Sequence, residues 1–150
     1  MNKISHIIMI AFVVTAVTLM YSAVGMAASM PTGEFAGASI EKGSANGVTY
    51  QTGGVGIEER AAMDHSIHAY NLRLVFANTK GWDLSSIPVQ IKAADGKVVL
   101  NQESSGPWFW VNLPPGTYEV AASYNKQTEV HKVEVGKTPQ SVEFTWNQVK

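Results

Sequence analysis

From Leu72 to Trp146 the chain alternates apolar and polar residues with a period of two, and turn residues interrupt it about every ten positions. Successive side chains of a strand point to opposite faces, so this pattern can bury only one side of each segment. The segments are Leu72-Leu74-Phe76, Ile87-Val89-Ile91, Lys97–Gln102, Trp108–Leu113, Tyr118-Val120-Ala122, Thr128–Val135 and Ser141–Trp146. The spacing predicts an all-β fold, a seven-stranded immunoglobulin-like sandwich over 72–150. Prolines agree with it: Pro88 stands at a strand start, and Pro107, Pro114, Pro115 and Pro139 stand at turns. Asp95-Gly96 predicts a tight hairpin.

Residues 48–71 read differently. Val48, Tyr50 and Thr52 alternate with polar neighbours and predict a short edge strand at 48–52. Gly56-Ile57-Glu58-Glu59-Arg60 opens a helix with acidic residues at the positive end of its dipole. Met63, Ile67 and Tyr70 form its apolar stripe, and Asn71 ends it. Residues 28–47, rich in glycine, are expected to be a flexible leader.

Residues 1–27 have the layout of a secretory signal helix. Lys3 precedes an apolar run from Ile7 to Met20, and Gly25 and Ala27 occupy the −3 and −1 positions of a cleavage site. The competing reading is an uncleaved anchor, since Ile7 to Ala28 is nearly long enough for a bilayer core of ~30 Å. Cleavage makes the protein exported, periplasmic or secreted, with no membrane association afterwards. Losing Lys3 would leave ten Lys and Arg against twelve Asp and Glu. That balance lacks the concentrated basic surface a nucleic acid requires. There are no cysteines, so disulfides, thiolate metal sites and thiol nucleophiles are excluded.

Gly106-Pro107-Trp108-Phe109-Trp110-Val111-Asn112-Leu113-Pro114-Pro115-Gly116-Thr117-Tyr118-Glu119-Val120 resembles the L-P-x-G-x-Y-x-V hairpin of carboxypeptidase regulatory-like domains. Asp95-Gly96-Lys97 is similar to an earlier turn of that family. Tyr50–Gly56 and Tyr70–Ala77 resemble a subgroup of small exported proteobacterial proteins that carry such a domain. The resemblance covers roughly residues 48–146. It implies a prealbumin-like seven-stranded sandwich, with Gly116 shaping the turn and Tyr118 and Val120 filling the core. It also implies an accessory, non-catalytic role, and it supplies no site residues.

Two residue groups could carry function. Asp64, His65 and His68 crowd one stretch of the helix and could hold a divalent metal, with His131 as a distant further ligand. Chance placement on a polar helix face produces the same pattern. Trp108 and Trp110 share the strand face opposite Phe109, Val111 and Leu113. Left outward, the indoles would form a stacking platform for a sugar or a protein. Covered by the helix, they would absorb its apolar stripe, with Met63 and Ile67 against Trp108 or Trp110. The cover is the favoured reading.

Gly53-Gly54-Val55-Gly56 superficially resembles a phosphate loop, but no βαβ pattern follows it. No nucleophile elbow is present. The expected function is therefore a non-catalytic exported binding module without a cofactor, its partner an unidentified protein or carbohydrate. A metal-binding periplasmic protein using Asp64, His65 and His68 is the alternative.

Overall fold

A computed structural model describes residues 39–147, and the expected signal at 1–27 lies outside them. Among the described residues there are nine strands, one α-helix and one 3-10 turn. The strands are β1 (Glu41–Ala45), β2 (Val48–Gly53), β3 (Leu72–Asn78), β4 (Pro88–Ala93), β5 (Val98–Glu103), β6 (Trp108–Asn112), β7 (Gly116–Tyr124), β8 (Gln127–Val135) and β9 (Gln140–Trp146). They form two sheets, ordered β1-β2-β6-β3-β9 and β5-β4-β7-β8. Only the β3–β9 pair is parallel. The all-β sandwich expected from the alternation is the observed architecture.

The space between the sheets is filled by every second side chain. Leu72, Leu74 and Phe76 on β3 meet Val89 and Ile91 on β4, Phe109 and Val111 on β6, and Val120 on β7 in one buried cluster. Tyr50 stacks on Phe109 with ring centroids 5.4 Å apart. Phe144 lies 5.8 Å from Phe76 and 6.0 Å from Trp146, which closes one end of the core with three rings. Tyr118 is buried, as the hairpin motif implies, and its hydroxyl donates to the Pro114 carbonyl at 2.7 Å. That bond satisfies the one polar atom a buried tyrosine carries.

Three expectations need correction. The leader placed at 28–47 gives up its last part to β1, which pairs antiparallel with β2 across an Asn46-Gly47 turn. Both turn residues have positive φ, 51° and 77°, as a two-residue hairpin of the primed type requires. Consequently β2 is not an edge strand, since β1 flanks one side of it and β6 the other. Finally, Gly116 has no left-handed φ, and a Cβ there would find Tyr118 at an ordinary 3.6 Å. It starts β7 rather than shaping a turn that only glycine could make.

The helix is also shorter than its stripe. It runs as α1 (Ile57–His65), breaks at Ser66, and continues as a 3-10 turn over Ile67–Ala69. The Ser66 hydroxyl bonds the Met63 carbonyl and the Gln51 side chain, each at 3.0 Å. A serine side chain offering the backbone such an alternative weakens helical continuation.

Candidate functional site

α1 lies over the outer face of the five-stranded sheet. Met63 is fully buried there with Tyr70 and Trp110, and Ile40, Ile67 and Trp108 pack against them. Trp110 is 3% exposed, so it offers no free stacking face. The indoles of Trp108 and Trp110 stack on each other, centroids 5.5 Å apart and planes 16° apart. The helix cover expected from the Met63–Ile67–Tyr70 stripe is what the structure contains. Burial also raises the Tyr70 phenol above its ordinary titration range, which keeps it neutral.

The two arginines of the chain flank this indole pair. Arg60 sits 5.1 Å over Trp108, and Arg73 sits 5.7 Å over Trp110. Arg60 does more than stack. Its Nε donates to the Gly54 carbonyl at 2.8 Å, and its Nη2 pairs with Asp83 on the loop between β3 and β4. Gly54, at φ +89°, passes so close beneath Trp108 that a Cβ would approach the ring to 2.9 Å. Gly106 is constrained in the same way by the Gly53 carbonyl. Here glycine is required by close approach, not by flexibility.

The glycine-rich segment already holds an anion, and it is a side chain. Glu59 Oε2 accepts the Gly54 and Val55 amides, each at 3.0 Å, and Oε1 accepts the Ser39 amide at 3.3 Å. Glu59 is the third residue of α1, where a carboxylate also suits the helix dipole. The amides that would have cradled a phosphate are therefore occupied.

Asp64, His65 and His68 are all exposed. Among the described residues no three His, Asp or Glu side chains come together as a metal site, so the expected set does not form. The reason is local: the chain leaves the α-helix at Ser66, between the two histidines. His131 is remote from them on β8, 3.8 Å from Glu129 and edge-on to Phe144 at 4.6 Å. His131 and Glu134 have the H-x-x-E spacing of zinc peptidases. On an extended strand, however, residues three apart point to opposite faces.

A different surface stands out at the end of the molecule where α1 begins. Val55 is 64% exposed, Ile57 84% and Trp82 62%. The Arg60–Asp83 pair joins the Trp82 loop to the start of α1 and the segment before it, since Asp83 follows Trp82 and Arg60 is bonded to Gly54. The Trp82 loop is held on both sides. Buried Asn78 accepts the Lys80 and Trp82 amides through its side chain, each at 2.9 Å, and Leu84 anchors the return to Phe76. The Lys80 ammonium stands 5.8 Å over the Trp82 ring. These are large apolar side chains on fixed backbone, unlike an isolated exposed leucine.

Sequence reasoning missed this set. Ile57 lies off the Met63 stripe, and Trp82 falls between strands in Lys80-Gly81-Trp82-Asp83, where no periodicity demands an indole. A tryptophan within turn residues was the available signal. Among the described residues no helix is long and apolar enough to cross a membrane. No family model matches this chain, and no curated protein does.

Proposed function

We propose that this chain is a non-catalytic, exported carboxypeptidase regulatory-like module that binds a partner protein through the apolar end formed by Val55, Ile57 and Trp82. Export is inferred from the Lys3, apolar-run and Gly25-Met26-Ala27 layout of the first 27 residues. The family assignment, and with it the prealbumin-like version of the sandwich, is inferred from the 106–120 hairpin sequence and Asp95-Gly96-Lys97. Seven strands from β3 to β9, in two layers, suit it.

The observation carrying the binding reading is the exposure of Ile57 and Trp82 on segments that the Arg60–Asp83 pair joins. Water gains where such surface is covered, and interface cores favour aromatic and aliphatic anchors of this kind. A sugar stacking on Trp108 and Trp110 is disfavoured, because α1 occupies that face.

The test uses the purified protein immobilised against the exported fraction of its source cells. One discrete protein retained by the unchanged chain should be lost with Trp82→Ala and with Ile57→Ser. It should be kept with Val98→Ser, an exposed apolar residue on β5. Equal retention by all variants would refute the assignment of this surface.

A further inference from the structure

The four-stranded sheet ends in β8, whose far edge has no partner strand among the described residues. β8 is nine residues long, contains no proline or glycine, and pairs with β7 in unbroken register from Tyr124–Gln127 to Gly116–Val135. A cleft of about 540 Å³ is lined by His131, Lys132 and Glu134 of β8, Lys137 of the following turn and Gln140 of β9, among others. Free strand edges of this length and regularity template further pairing unless they are blunted. In the middle of the edge, on the outer face, stands Val130, 54% exposed.

The sequence of β8 is complementary to itself when reversed. Antiparallel pairing of two copies about Val130 sets Val130 against Val130, Thr128 against Lys132, and Glu129 against His131 on both sides of the two-fold axis. Lys126 falls opposite Glu134 at each end. Moving the axis by one residue puts His131 on itself and Glu129 on Val133. Moving it by two puts Lys132 on Lys132, and like charges directly opposite are destabilising. The register about Val130 alone among these covers the exposed valine with its own copy and pairs unlike groups.

We infer that β8 is a self-association edge: two copies of this chain join antiparallel about Val130 to make one continuous eight-stranded sheet. Such an interface is isologous, each copy presenting the same strand. It lies on a different sheet from the Val55–Ile57–Trp82 end and stands independently of that reading.

Because the chain has no cysteine, single introduced thiols report the register directly. In the intact purified protein Val130→Cys should form a disulfide-linked dimer readily, since residues facing each other across the axis lie about 4.5–5.5 Å apart. Thr128→Cys and Lys132→Cys should not crosslink to themselves, and a mixture of the two should. In sedimentation experiments Val130→Lys should weaken the dimer at least tenfold while the folded-state spectrum stays unchanged. The inference is overturned if the unmodified chain stays monomeric from micromolar to millimolar. It is also overturned if Val130→Cys oxidises no faster than Asn101→Cys on β5, or if Thr128→Cys self-crosslinks equally well.

Discussion

The five-stranded sheet is covered on both faces, but by different physics. Its inner face meets the other sheet through Leu72, Leu74, Phe76, Phe109, Val111 and Phe144, all fully buried. Its outer face meets α1, whose one fully buried residue is Met63. What the helix lacks in apolar area is supplied by directed contacts: the Glu59 carboxylate on two amides, Arg60 on Gly54 and Asp83, and Ser66 on Gln51. Non-directional burial holds the sandwich, whereas α1 depends on a few bonds with defined geometry. Each layer should therefore fail in its own way.

The largest effect belongs to the inner layer. Phe144→Ala removes a fully buried ring that touches Phe76, Trp146 and His131. Truncations of this kind cost about 3–5 kcal/mol. The denaturant midpoint should fall accordingly, with every strand losing amide protection together. Met63→Ala in the outer layer should cost less, about 2–3 kcal/mol, at the low end for a buried methionine because so short a helix can shift to close the gap. Its signature should be local. Amides of 57–70 should exchange faster while those of β3 and β7 keep their protection. Equal loss of protection in both layers would erase the distinction.

Glu59→Ala tests the directed contacts alone. It removes the acceptor for the Gly54 and Val55 amides and leaves the apolar contacts of Met63 untouched. Losing hydrogen bonds from backbone amides to a charged acceptor at a partly exposed site costs about 1–2 kcal/mol. The expected result is a modest fall in stability with exposure of Trp108, read as a red shift in indole fluorescence. An unchanged spectrum would mean that α1 stays seated without the Glu59 bonds to the preceding loop.

The two layers were unequally legible in the sequence. Period-two alternation is a direct image of burial, so the seven strands from Leu72 to Trp146 and the Asp95-Gly96 hairpin could be read residue by residue. So could the cover over Trp110, because the Met63–Ile67–Tyr70 stripe needed an apolar partner. The contacts that fasten α1 were not legible. Nothing in Asp83 announces the guanidinium it meets 23 residues away, nor in Glu59 that it turns back onto the Gly54 and Val55 amides, and the same blindness applies to Asp64, His65 and His68. β1 is a separate case. Its residues, Glu41-Lys42-Gly43-Ser44-Ala45, have no apolar alternation, yet the Asn46-Gly47 pair that folds them back was present. Glycine density suggests flexibility there, where one dipeptide specifies a turn.

That β1–β2 turn has a counterpart in the other sheet, and the smallest prediction compares them. Between β7 and β8 the two turn residues are Asn125 and Lys126, with φ of 49° and 63°. The backbone is the same kind of turn as Asn46-Gly47, but its second position holds a side chain with a Cβ that disfavours the left-handed region. Lys126→Gly should relieve that strain, against the greater freedom glycine gives the unfolded chain. Relief should exceed the entropic loss and stabilise the protein by about 0.5–1 kcal/mol, visible as a higher denaturant midpoint at unchanged slope. The reverse change, Gly47→Lys, should destabilise by a similar amount. The Gly47 site is open enough to take a side chain, so the effect isolates the backbone preference. If Lys126→Gly lowers the midpoint instead, Lys126 contributes something in the folded state beyond turn geometry, and its position at the end of β8, opposite Glu134 of a second copy, is the first place to look.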